Sequence, residues 1–463
     1  MSLIIIREAS DNPEGTNATI SFDNGPDYPI TLINPFTDND EAHLSNYSVN
    51  CLQHPFAYQH GDEELFDNLR RYGELLFEHV FADMQVYAHY QELIATQLDE
   101  LHIEIAGTAQ FHCLRWELLK DPHHATPLAL DIPIVRRKLN PQWVGSSLIP
   151  SPTINVLIVT ARPFTNSAAA YRTIARTLIE QLPMPSVPVQ CDILRPGTYP
   201  AFVEHLEAIH NHHGSRYYQC VHFDIPYESL TYEELDAHNA SQSGHHRYIL
   251  YNRLYRDPIQ PFEGHKNFFL MESDRHNTAD LVDVLEMADL IVSNQIPIVV
   301  LHTHQTEPRQ HEQESHICYE LLDTGIPVVL ATGDTTSTST TQLVFRTFYH
   351  HLATGTTVSH AARQIRTRTC PQQRRIGFFN QAVQREDWFQ IKLFQNQDRR
   401  LEMRECTPTN SKHLTNGIPY AHRFPNQRIP LSDANWIPSR LKNSCLLAIS
   451  CSFGESVDLA KRR

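Results

Sequence analysis

The chain has 463 residues, more than one hydrophobic core usually spans, so two domains are expected. Its 38 Lys and Arg against 53 Asp and Glu leave a formal charge of −15, which repels a phosphate backbone and argues against nucleic acid as a partner. The nine cysteines are scattered without a C-x-x-C pair, so neither a disulfide framework nor a zinc module is expected and a reducing cytoplasm is the simplest setting. Met1 to Arg7 is apolar but has no basic residues ahead of it, and no stretch approaches the ~18 apolar residues of a spanning helix, so neither a secretory leader nor a membrane anchor is expected.

Between Asp62 and Glu100, Leu65, Leu69, Tyr72, Leu76 and Val80 recur at helical spacing, and Asp83 divides the stretch into two helices. Leu101 to Ile105 alternates as a half-buried strand, Leu114 to Leu119 runs into an Asp121-Pro122 turn, and Ile132 to Arg137 is a second strand. The Pro-, Ser- and Gly-rich run from Asn140 to Pro152 is the best boundary. Beyond it, Ile154 to Thr160 is a continuous apolar run of the kind buried on both faces of a parallel sheet.

The rest of this half alternates. Helices are predicted at Ala168–Leu182, Tyr199–His210, Thr278–Ser293, Glu314–Thr324, Gln342–Ala353 and Thr357–Thr367. Strands are predicted at Val187–Leu194, Tyr217–Phe223, Asn267–Glu272, Ile296–Leu301 and Ile326–Ala331. The expected fold is therefore α/β, a mostly parallel sheet with helices on both faces. Tyr227 to Gly264 breaks the rhythm as an insertion loop, no repeat of 20–50 residues is visible, and periodicity fades past Gln397.

Two strand-end segments, Cys220 to Tyr227 and Val299 to Thr306, end in polar residues and are expected to meet at the carboxyl edge of the sheet, where α/β sites are built. The 28 histidines raise the question of a metal. His210, His212, His213, His245, His246, His350 and His351 share no ligand spacing, and His302, His304, His311 and His316 read first as a hydrogen-bonded loop cluster, so no metal and no cofactor is expected. The basic run Arg363 to Arg375, with Arg366, Arg368 and Arg374, reads as a solvated helix end. Trp116 with Glu117 reads as a packing anchor beside a satisfied carboxylate.

Several of these segments, in order, resemble the CHAT domain proteins, caspase-like cysteine peptidases related to separase. Leu114 to Pro122 (LRWELLKDP) is similar to that family's Trp-Glu-Leu block and Val156 to Pro163 (VLIVTARP) to its first core strand. Asp192 to Tyr199, His222 to Leu230, Leu301 to Thr306, Gly325 to Ala331 and Asp387-Trp388-Phe389 follow. The resemblance implies a caspase-like sheet with an amino-terminal α/β region: residues 1–148 as that region, 149–398 as the caspase-like domain and 399–463 as an irregular tail.

It also implies a catalytic His in a His-Phe-Asp-x-His-Gly segment and a catalytic Cys in Leu-Asn-Ala-Cys-Gln-Ser. Such chemistry needs a thiolate, an imidazole within hydrogen-bond reach and a backbone N–H for the oxyanion. Here Pro226 stands at the His position, Tyr227 at the Gly and His304 at the Cys, while His222, Asp224 and Gln305 match. Proline supplies neither a titratable group nor an N–H. No intact catalytic pair is therefore expected, and the resemblance implies a pseudo-peptidase that binds a protein or peptide partner. The alternatives are a cysteine endopeptidase with a displaced nucleophile, Cys220 beside His222 or Cys318 near His316, and, further off, a metal-dependent hydrolase. For those two thiols a buried core position is the simpler reading.

Overall fold

The computed structural model describes residues 2–12, 15–23, 25–140, 153–164, 189–241, 248–250, 253–255, 261–273, 278–305, 312–333, 338–377 and 380–396. The boundary run 140–152, apart from Asn140, the helix expected at 168–182 and the tail from 399 lie outside the described residues.

The amino-terminal part opens with a meander that sequence reading did not resolve: β1 (Ser2–Asn12), β2 (Gly15–Phe22) and β3 (Tyr28–Leu32), paired antiparallel. Three helices follow, α1 (Asp38–Gln53), α2 (Glu63–Val80) and α3 (Met84–Gln97). Each begins on a side chain that takes up otherwise unpaired helix N–H groups: Thr37 in a capping box, Asp62 on the N–H of Leu65, and Asp83 on those of Gln85 and Val86. The predicted break at Asp83 is such a cap. The apolar stripe of α2 is buried, and Gly73 lets the helix lie on the backbone of the Trp-Glu-Leu block, where a Cβ would come within 1.9 Å of the Leu118 carbonyl oxygen. β4 (Leu101–Gly107), the short α4 (Leu128–Asp131) and β5 (Ile134–Lys138) complete this part, with β1, β4 and β5 parallel.

The second part contains β6 (Ile154–Thr160), β7 (Val189–Leu194), α5 (Tyr199–His213), β8 (Cys220–Leu230), α6 (Tyr232–Ser241) and the hairpin β9 (Tyr248–Leu250) and β10 (Arg253–Tyr255). It continues with β11 (Lys266–Glu272), β12 (Ala279–Asp283), α7 (Val284–Ser293), β13 (Ile298–Gln305), α8 (Glu312–Asp323), β14 (Val328–Ala331), α9 (Thr338–Ala353) and α10 (Val358–Thr369). The hairpin β15 (Arg374–Ile376) with β16 (Ala382–Gln384), and then β17 (Lys392–Gln395), close it.

Strands from both parts share one sheet, in the order β12-β11-β8-β13-β14-β17-β5-β4-β1-β2-β3, with β6 and β7 attached beside β8. Its centre, β7-β6-β8-β13-β14, is parallel, as expected. Alternation sends Val221, Phe223, Ile225 and Tyr227 of β8 to one core with Ile317 and Cys318 of α8, and Cys220 to the other with Val344, Phe345 and Tyr349 of α9. Helices thus cover both faces. β17 pairs antiparallel with β14 and joins β5 through Phe394 and Arg136.

Two expectations are corrected. Residues 279–283, read as the start of a helix, form β12 against β11, and the helix begins only after Asp283, whose carboxylate accepts from the N–H of Leu285. An apolar run with both periods present is ambiguous until a strand partner is known. Likewise β8 does not end at Phe223, and residues 227–230, read as the start of a loop, continue the strand. Along one edge of β8, β6 pairs up to Asp224 and β11 takes over at Tyr227. The Asp224 carbonyl on that edge accepts from the N–H of Ala161. Pro226, two residues on, would aim an N–H into the gap between the two partner strands, so a proline breaks no ladder bond there.

Candidate functional site

The site is a polar row across the carboxyl edge of the central strands. Register places Thr160 of β6 opposite Asp224 of β8, and Asp224 opposite His302 of β13. His302 Nδ1 then meets Thr332 Oγ1, just past β14, at 2.9 Å. The two positions singled out by the resemblance are themselves register partners: Pro226 lies opposite His304 and Tyr227 opposite Gln305. They belong to a continuous ladder, β8 with β13, and Pro226 is buried. The side chains of His304 and Gln305, and the whole of His311, lie outside the described residues.

Asp224 is held by Arg162, the arginine of VLIVTARP. Arg162 Nη2 donates to Asp224 Oδ1 at 2.6 Å, and Nη1 donates to the Asp224 carbonyl at 2.7 Å. The pair is buried, which makes it a fixed structural charge pair rather than a mobile one. Glu272 of β11 ties the neighbouring backbone together, accepting from the N–H of Arg162 at 2.9 Å and of Gly197 at 3.2 Å. A Cβ on Gly197 would meet the Thr160 carbonyl oxygen at 2.2 Å, so glycine is required where DILRPGTY crosses VLIVTARP.

One layer inward sits His222, with no exposed surface. Its ring lies against Phe345 at 4.1 Å, its Nδ1 is 3.5 Å from the Tyr349 hydroxyl, and Nε2 has no hydrogen-bond partner among the described residues. Burial, with His302 nearby, holds the His222 imidazole well below its ordinary value. Burial and then Arg162 push His302 down to about 3. Both rings are therefore neutral at pH 7.

These depressed values fix a pH dependence. Each ring contributes stability that is present above the unfolded value of ~6.5 and lost as the pH falls through the folded value, here between ~6.5 and about 3 for His302. The expected result is an unfolding free energy that declines below ~pH 6.5, and His302 ring resonances that stay still from about pH 8 to about pH 5. A His302 midpoint near ~6.5 by NMR would contradict it.

The thiols named by sequence are both in the core. Cys220 Sγ lies 3.6 Å from the Tyr349 hydroxyl, and burial pushes its thiol up to about 12. A nucleophilic cysteine needs the opposite pair of shifts, a thiol pulled down beside an imidazole that can be protonated. Cys318 is fully buried in the core on the other face of the sheet. Among the described residues, no group of three or more His, Cys, Asp or Glu side chains is placed to hold a metal ion.

Trp116 and Glu117 are buried as read, and the Glu117 carboxylate is the centre of an ion triad. It takes Arg136 through Nε at 3.2 Å and through Nη2, and Arg366 Nη2 at 3.3 Å. Burial alone would raise the Glu117 carboxyl, and the two guanidiniums overcome it, holding the group below its ordinary value. The solvated reading of Arg363–Arg375 is thereby corrected: Arg366 is buried in this triad, and Arg375 is buried against Asp387 at 2.6 Å, whereas Arg368 and Arg374 are exposed. Sequence reading missed Arg162, Glu272, Thr332 and Tyr349. Only Arg162 carried a signal, a lone cation at the end of a strand buried on both faces.

No curated protein matches this chain. A chain of the crystal structure of the Saccharomyces cerevisiae separase–securin complex is similar at 11% identity with a TM-score of 0.29, over 65% of this chain and 17% of that one. Among the described residues, no helix is long and apolar enough to cross a membrane. The family model described as CHAT domain matches residues 252–410, a stretch that holds β11 to β17 and His304 and begins after Pro226.

Proposed function

We propose that this chain is a pseudo-peptidase: a caspase-like CHAT domain without peptidase turnover that acts in the cytoplasm as a binding or regulatory module for a protein or peptide partner. No cofactor, nucleic acid or membrane enters the proposal. The observation that carries it is the pairing of Pro226 with His304 in one ladder, while Cys220, at the start of the same strand, is buried, hydrogen-bonded to Tyr349 and raised to about 12. A proline in the place of the base and a Cys220 thiol that stays protonated cannot begin acyl transfer between them. The fixed Arg162–Asp224 pair and two neutral imidazoles favour recognition over proton transfer.

The test uses the full chain with a pooled peptide library and a thiol-directed acyl probe. Retention of a subset of peptides without cleavage, and no label on Cys220 or Cys318, is the expected result. Cleavage that disappears in Cys220→Ala or Cys318→Ala would overturn the proposal in favour of a displaced nucleophile. Cleavage abolished by a chelator would overturn it in favour of a metal.

A further inference from the structure

Far from the polar row, α2, the Trp-Glu-Leu block and the Asp-Trp segment enclose a cleft of about 160 Å³. Its floor is apolar, made by Phe66, Leu69, Leu118, Leu130 and Trp388. A cavity of ~150 Å³ is large enough to take benzene in another protein, so this floor accommodates an apolar body of that size.

The wall is not apolar. Glu386 borders the cleft half-buried; its Oε1 accepts from Gln373 Nε2 at 2.7 Å, and among the described residues no cation comes within ion-pair distance of it. The two cations at the rim are already engaged, Lys120 with Glu74 at 2.6 Å and Arg70 with Asp67 at 2.9 Å. Arg70 acts on Glu386 from the rim without pairing with it, so among the described residues the carboxylate at the wall has no direct ion-pair partner. Burial raises the Glu386 carboxyl, which marks the same deficit from the proton's side. Cys370, at the end of α10, also borders the cleft and is only partly covered.

We propose that this cleft binds a small amphipathic cation: a benzene-sized apolar body on the Phe66–Trp388 floor, with one protonated nitrogen paired to Glu386. The chemistry is that of an aryl- or alkylmethylamine. A neutral ligand of equal size gains the floor but not the carboxylate, and an anion meets Glu386 repulsively.

Benzylamine and benzyl alcohol, titrated into the full chain and followed by calorimetry, separate these cases. Benzylamine is expected to bind about tenfold or more tightly than the alcohol, the range for a hydrogen bond to a charged group, and Glu386→Gln is expected to bring the two within about threefold. A second readout needs no variant. Saturating benzylamine is expected to slow alkylation of Cys370, mapped by mass spectrometry in the native protein, by about tenfold, as bound ligand removes the open form from reaction. Equal affinities for amine and alcohol, a preference that survives Glu386→Gln, or an unchanged Cys370 alkylation rate would each overturn the site.

Discussion

Glu117→Ala is expected to destabilise the protein by about 3–5 kcal/mol, the cost of leaving buried charges without their partner. Both Arg136 and Arg366 have no exposed surface, and each relies on Glu117 for charge balance. Their remaining hydrogen bonds among the described residues go to backbone carbonyls, His112 and Leu114 for Arg136 and Ile391 and Ile134 for Arg366 at 3.0 and 3.4 Å, and the Arg136 guanidinium also lies over the Phe394 ring at 5.6 Å. Carbonyl oxygens supply lone pairs but no net charge, so the alanine variant leaves two guanidiniums in a dry interior. A loss of this size removes about a fifth or more of the ~5–15 kcal/mol typical of a folded domain. Because the Glu117 carboxyl is held below its ordinary ~4.5, its contribution is present above that pH and disappears as the pH falls through the folded value. Urea unfolding at neutral pH, repeated with Glu117→Gln, is the check. The amide keeps the shape and some hydrogen bonds but not the charge, so it is expected to fall between wild type and alanine. A Glu117→Ala loss below about 1 kcal/mol, the scale of an exposed pair, would show that the triad is not a buried charge centre.

The triad also shows where sequence reading reaches and where it stops. Trp116 and Glu117 were legible as buried because a large aromatic beside a carboxylate needs a satisfied partner. The partner was not legible, since Arg136 is 19 residues away and Arg366 is 249 residues away. Arg366 in turn read as part of a solvated helix end, since its counter-charge lies in a different part of the sequence. The same holds for Arg375, whose partner Asp387 arrives through the hairpin β15–β16. The central strands were legible because a strand covered on both faces is apolar throughout, as in β6, where every residue is buried.

The candidate site was legible only as a pair of segments. Two polar strand ends could be read from the sequence; their register could not, because it depends on β13 lying between β8 and β14. Proline is accepted at 226 inside the strand because β6 stops and β11 starts on that edge, with Arg162 reaching the Asp224 carbonyl in the interval. What the two segments bring together is therefore a ladder, not a pair of facing loops.

Tyr227→Gly is expected to cost about 3–5 kcal/mol from the lost ring, with roughly 0.5–1 kcal/mol more from glycine in a strand. Tyr227 has no exposed surface and belongs to the core that also contains Phe202, Phe223 and Phe269. Phe269 is its register partner on β11, and the Phe223 and Phe269 rings stack at 5.7 Å. Removing the ring opens a void between aromatic neighbours whose positions are fixed by two strands, so the cavity cannot collapse. Chemical denaturation of Tyr227→Gly beside Tyr227→Phe gives the check, the phenylalanine variant being expected to keep most of the stability. A Tyr227→Gly loss under about 1 kcal/mol would mean that position 227 tolerates the glycine of active relatives without repacking. The consequence bears directly on any attempt to restore peptidase chemistry. A variant carrying Pro226→His, Tyr227→Gly and His304→Cys together would confound lost folding with absent catalysis. Pro226→His with His304→Cys, leaving Tyr227 in the core, keeps the ladder partner of Gln305 and the aromatic cluster intact. Only in that background does the absence or return of turnover report on the register pair itself.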